Sequence, residues 1–101
     1  MIPSKTIEEL ILKHSTLEKD LSSGNIDKKL FAEKSKEYSD VNEIIDIAKK
    51  YISYENDKKE LEKILEDTAV DKELKEMAEL ELLDLKSNYE INEKKLKFFL
   101  L

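Results

Sequence analysis

The side chains able to take part in chemistry are few and scattered. His14 is the one histidine and the chain has no cysteine, so a His/Cys metal site or a thiolate nucleophile is excluded. His14 falls among apolar residues spaced as one helical face, with no second His and no orienting carboxylate pattern beside it. It reads as a packed histidine and not as a general base. The pairs Glu8-Glu9 and Glu79-Glu81 have the type needed for acid/base or cation work. With 24 acidic residues in 101, however, such pairs arise by chance on solvated helix faces. Tyr38, Tyr51, Tyr54 and Tyr89 are interleaved with lysines, a mixture that can stack nucleic-acid bases. Three of them, Tyr38, Tyr51 and Tyr89, sit on or beside apolar rows, where a ring is buried and its hydroxyl reaches the rim. Gly24 has neither the second glycine nor the Ser/Thr pattern of a phosphate loop. No catalytic residue, metal or cofactor is expected from this inventory.

The elements that carry these residues are helices. From Asp27 to Asp67 about forty residues contain no Gly or Pro. Leu30, Phe31, Tyr38, Val41, Ile44, Ile45, Ala48, Tyr51, Ile52, Leu61, Ile64 and Leu65 recur there mostly at steps of three, four and seven. At 1.5 Å per residue such a helix is roughly 60 Å long, more than twice the diameter of a compact domain of this size. It therefore needs neighbours along its length. A first helix over 5–22 supplies the row Ile7, Leu10, Ile11, His14, Leu17 and Leu21. Its start is predicted near Ser4 to Thr6, with Thr6 and Glu9 at capping-box spacing. It ends at Ser22-Ser23-Gly24-Asn25, where glycine enters a left-handed turn without steric cost. Asp27 is the predicted N-cap of the long helix, 27–67. Asp67-Thr68-Ala69-Val70-Asp71 breaks it, with Asp71 as the next N-cap. A third helix over 71–99 then presents Leu74, Ala78, Leu82, Leu85, Tyr89, Asn92, Leu96 and Phe99. The expected fold is all-α: three antiparallel helices with one long central helix, a bundle or coiled-coil hairpin forming a single domain over 1–101. The polar interval Glu55 to Glu60 predicts thinner cover at one end of the rod.

Composition agrees. Charged residues make up 42% and hydrophobic ones 40%, with one Gly and one Pro, the profile of long helices and coiled coils. The net charge is -6 and every one of the 18 basic residues is Lys. An acidic chain without guanidinium groups is a poor phosphate binder, although Lys94, Lys95 and Lys97 form a local basic strip. No signal peptide and no membrane span are expected, so the protein is expected to be cytoplasmic. The chain closes on Phe98-Phe99-Leu100-Leu101, an apolar end expected of a piece cut from a longer protein.

Several stretches together resemble the N-terminal domain of bacterial class I peptide chain release factors of the UAA/UAG-reading type. They are Ile11-Leu12-Lys13-His14 through Leu21-Ser22-Ser23, and Ala32-Glu33-Lys34-Ser35-Lys36-Glu37-Tyr38 with Val41, Ile44 and Ile45 following. Tyr51 to Leu65 with the break at Asp67 to Asp71, and the closing Lys97-Phe98-Phe99-Leu100-Leu101, complete the likeness. His14 departs from the aromatic residue expected there. The Trp-containing insert typical of the UGA-reading sister factor is missing. The resemblance implies a full factor that recognises a stop codon and triggers peptidyl-tRNA hydrolysis through decoding and catalytic domains outside these residues. It implies for this domain a contact with the stalk base of the large ribosomal subunit, around ribosomal protein L11, and a functional link to the GTPase-type release factor. The contact is expected at the tip residues Thr68, Ala69, Val70 and Asp71, because a rigid rod presents its loop tip. The alternative is a non-catalytic coiled-coil adaptor or oligomerisation module, in which the exposed end of the long helix pairs with a second copy.

Overall fold

The computed structural model describes all residues, Met1–Leu101. It contains three helices and no strand: α1 (Ser4–Ser22), α2 (Lys28–Glu66) and α3 (Lys72–Phe99). The all-α architecture read from the periodicity is therefore present. The molecule is a rod of 59 × 28 × 20 Å, its long dimension set by the 39 residues of α2.

The helix ends differ in how they are held. α1 does not begin with the predicted Thr6–Glu9 box. Pro3 occupies the N-cap position, no side chain caps the helix, and the Pro3 carbonyl accepts from the amides of Thr6 and Ile7 at 3.1 and 3.4 Å. The proline ring presets the backbone at the entry, so the helix starts two residues before Thr6 can act as a cap. Gly24 takes φ +75°, the left-handed conformation anticipated for the turn into α2. Asp27 stands at the N-cap of α2, but its carboxylate makes no capping bond; its backbone carbonyl accepts from Phe31 at 2.8 Å. Asp71 does cap with its side chain, Oδ1 accepting from the Leu74 amide at 2.8 Å. Asp71→Ala is accordingly expected to cost about 1 kcal/mol in chemical denaturation, while Asp27→Ala costs a few tenths at most.

α1 and α3 both rest on α2. α1 runs back along the first half of α2, as shown by the pairs Lys13 with Glu37 and Asp20 with Lys34. α3 runs back along the second half, Tyr89 stacking on Tyr51 and Tyr54. Their coverage overlaps over Val41 to Tyr51, and the principal core lies there: Ile2, Ile7, Leu10, Val41, Ile44, Ala48, Tyr51 and Leu96. The thickest part of the rod is thus its middle, and both ends are two helices thick. The 19 residues of α1, starting from the turn at Gly24, reach back only as far as the level of Tyr51. The 28 residues of α3, starting from the opposite tip, pass that level and end beside Val41 and Ile44. Two helices cannot enclose a side chain as three can. In the outer arm, from Ile52 to Leu85, only Ala78 is buried, while Leu61, Ile64, Leu65, Leu82 and Leu85 stay half-buried. The polar interval Glu55 to Glu60 belongs to this arm.

Candidate functional site

His14 is buried on α1. Its Nε2 lies 2.8 Å from Asn42 Oδ1, its ring stacks on Tyr38 with centroids 4.9 Å apart, and Nδ1 is 4.0 Å from the exposed Glu18 carboxylate. Both of the close partners come from α2. A ring held by an amide and an aromatic face, with no nucleophile beside it, locks α1 in register with α2. The pairs Glu8-Glu9 and Glu79-Glu81 are all exposed, and no three His, Asp or Glu side chains converge in a metal-ligating arrangement.

Three of the four tyrosines form one array at the junction of the helices. Tyr51 and Tyr89 stack at 4.8 Å, and Tyr54 and Tyr89 at 4.0 Å. The Tyr51 hydroxyl is the hub: it accepts from the Ile2 amide at 3.0 Å and from the Tyr89 hydroxyl at 3.2 Å, and donates to Glu93 Oε2 at 2.9 Å. Glu93 also receives Lys97 Nζ at 3.0 Å. Burial, followed by the hydrogen bond from Tyr89, pushes the Tyr51 hydroxyl above its ordinary range. The Lys97 hydrogen bond, followed by that from Tyr51, holds the Glu93 carboxyl below its own. The Tyr51 and Tyr89 rings are used for packing, as their place on the apolar rows implied, and Tyr54, which lies off those rows, packs with them. Glu93 as the anchor of the array was not visible in the sequence, where it is one acidic residue among many.

The tip is a tight, hydrogen-bonded turn. The Ala69 amide donates to Asp67 Oδ1 at 2.9 Å and the Val70 amide to the Asp67 carbonyl at 3.3 Å. Thr68, Ala69 and Asp71 are exposed and Val70 half-buried. Lys94, Lys95 and Lys97 are exposed at the opposite end of α3. α3 also carries an apolar row that the sequence reading did not isolate: Met77, Leu80, Leu83, Ile91 and Phe98 are 47–80% exposed on its outer side. The step of seven from Ile91 to Phe98 and of fourteen from Met77 to Ile91 was the available signal.

Residues 10–101 match the PCRF domain family. The chain belongs to that family. The PCRF domain described here is 71% identical to Peptide chain release factor 1 of Pelagibacter ubique over 101 residues, all of this chain and 28% of the relative. It is 38% identical to Peptide chain release factor 1 of Orientia tsutsugamushi (strain Boryong) over 78 residues, 77% of this chain and 21% of that protein. With the protein of the same name from Lachnoclostridium phytofermentans it shares 33% identity over 99 residues, 94% of this chain and 27% of the relative. The PCRF domain thus spans about a quarter of the length of these relatives. No solved structure matches it. The resemblance to class I release factors drawn from the sequence is borne out. No helix is long and apolar enough to cross a membrane.

Proposed function

We propose that this PCRF domain is the N-terminal accessory domain of a cytoplasmic translation termination factor, a factor that reads UAA and UAG and triggers peptidyl-tRNA hydrolysis on the ribosome. The observation that carries this reading is the 71% identity to a Peptide chain release factor 1 across the whole chain. Decoding and hydrolysis belong to parts of the factor outside these residues, and the domain itself is non-enzymatic. Its role is to reach the stalk base of the large subunit, around ribosomal protein L11, and through that contact to influence recycling by the GTPase-type release factor.

The tip residues Thr68, Ala69, Val70 and Asp71 make the contact. Their backbone is fixed by the Asp67 and Asp71 carboxylates, so little ordering entropy is lost when they dock. The absence of arginine and the net charge of -6 favour a protein-facing contact over one with rRNA phosphates. Co-sedimentation of the 101-residue chain with large subunits tests this. Val70→Asp, which places a charge at the half-buried tip residue, is expected to weaken binding about tenfold, and the chain alone releases no peptide from programmed ribosomes. Hydrolysis by the isolated chain, or binding that ignores the tip substitution, defeats the reading.

One observation favours a second reading. The exposed row Met77, Leu80, Leu83, Ile91 and Phe98 is an apolar face of the kind that coiled-coil partners cover. A non-catalytic adaptor or oligomerisation module would use it. Sedimentation equilibrium separates the readings, since a monomer at high micromolar concentration removes self-association.

A further inference from the structure

Along the outer arm the seam between α2 and α3 opens into a groove of about 600 Å³. Its floor is apolar: Tyr54, Leu61, Ile64, Leu85 and Tyr89 all line it and all remain half-buried. On the α2 wall the lining residues Lys50, Asp57 and Ile64 recur at steps of seven, and on the α3 wall Glu81 and Asn88 do the same, the spacing at which paired helices leave holes for the knobs of a third. From Lys50 to Ile64 the α2 wall runs about 21 Å, or four turns of a helix laid alongside. The rim is one-sided in charge. Asp57, Glu60, Glu81 and Asp84 surround the floor, with Lys50 as the single cation.

We propose that this groove is a docking site for a basic amphipathic helix of about four turns from a protein partner, its apolar stripe seated on Tyr54, Leu61, Ile64 and Leu85 and its lysines or arginines paired with the rim carboxylates. The proposal is independent of the ribosomal reading, because it stands on the groove and not on the tip. Phosphate-bearing partners are repelled by the rim. A second copy is disfavoured by the same electrostatics. The exposed apolar row that a second copy would bring is on α3; its Met77 to Leu83 part is flanked by Glu73, Glu76, Glu79 and Asp84, so carboxylates would meet carboxylates there. Lys94 and Lys95 stand only at its Ile91 to Phe98 end, and each copy carries a net charge of -6. A basic helix satisfies both the floor and the rim. It also completes on the arm the three-helix burial that α1 supplies in the middle of the rod.

The test uses the 101-residue chain, labelled with ¹⁵N and titrated with a synthetic 16-residue Lys/Leu peptide whose leucines fall on one helical face. Chemical-shift changes are expected to concentrate on Tyr54, Leu61, Ile64, Leu85 and Tyr89. A scrambled peptide of identical composition and charge is expected to bind about tenfold more weakly, since charge without a stripe fills only the rim. The double variant Asp57→Lys, Asp84→Lys alters exposed or half-exposed side chains and is expected to weaken the patterned peptide by a similar factor. If that variant loses its helical circular dichroism, the scrambled-peptide comparison on the unaltered chain decides alone. Equal binding of the two peptides overturns the proposal, as do shifts spread over α1. Concentration-dependent shifts of the groove residues without peptide, which would show a second copy closing the groove, or single-stranded RNA perturbing the same residues more strongly than the peptide, overturn it too.

Discussion

Leu96→Ala is expected to lower the free energy of unfolding by about 3 kcal/mol, within the range seen for large-to-small changes at enclosed sites. Leu96 is fully buried, and the cluster around it draws Ile7 and Leu10 from α1 and Val41, Ile44 and Ala48 from α2. It is the α3 side chain inserted where all three helices overlap. The surrounding walls come from three different elements, so they relax little into the space left behind, and the cavity cost adds to the lost transfer energy. The loss weighs heavily in this molecule. Only 12 of 101 residues are buried, and small domains have a few kcal/mol in hand. Urea denaturation followed by circular dichroism reads the shift, with Leu80→Ala as the control: that leucine is 68% exposed on the outer row of α3, and its truncation is expected to move stability by no more than about 0.5 kcal/mol. Equal effects from the two substitutions would mean that the overlap of the helices is not the core.

Which parts of this arrangement the sequence carries follows from the range of the interactions involved. Helices are local, and rows at steps of three and four, broken at Gly24 and again at Asp67 to Asp71, mark three of them without reference to anything distant. Caps are already less legible. Asp27 and Asp71 occupy equivalent N-cap positions, yet only Asp71 turns its carboxylate onto the helix, a rotamer choice that the residue type does not encode. Thr6 and Glu9 have capping-box spacing, but Pro3 with its preset φ starts the helix first. The position of the thick part of the rod depends on how far α1 and α3 overlap. That is fixed by two loop geometries together, so the polar interval at Glu55 to Glu60 was an ambiguous guide to it. His14 could be placed on an apolar face, but Asn42 lies 28 residues away in sequence and its role as partner could not be read. The same holds for Glu93, 42 residues from Tyr51. The groove on the arm was half legible: Leu61, Ile64, Leu85 and Tyr89 of its floor stand on the apolar rows and Tyr54 does not, while their incomplete burial emerges only once α1 is seen to stop short of them.

The tyrosine array gives the second large effect. Tyr51→Phe keeps the ring that stacks on Tyr89 but removes an oxygen that accepts two hydrogen bonds and donates a third. The Ile2 amide is then left without its acceptor beside a buried ring, and the expected cost is about 2 kcal/mol at neutral pH, mostly the desolvation of the orphaned partners. The pH dependence identifies the cause. The folded state raises the Tyr51 hydroxyl above its unfolded value, through burial first and the Tyr89 hydrogen bond second. Its contribution is therefore fully present below the unfolded value of about 10 and is lost as pH rises beyond it, because the unfolded chain ionises there while the folded one resists. Glu93 has the opposite sign. Its folded carboxyl is depressed by Lys97 and then by Tyr51, so its contribution is present above the ordinary carboxylate range and is lost as pH falls through the depressed value. Denaturation midpoints measured from acid to alkaline pH should fall at both extremes in the unaltered chain. In Tyr51→Phe the alkaline fall should lessen, because the hydroxyl that drives it is gone, and the acid fall should become shallower, because Glu93 keeps only Lys97 and the amino terminus nearby. In Glu93→Gln the share of the acid fall that Glu93 carries is expected to disappear while most of the alkaline one persists, since burial dominates the shift at Tyr51 and Glu93 is a lesser cause. A Phe variant with an unchanged alkaline limb would show that Tyr51 is open to water and that the three helices do not close around it.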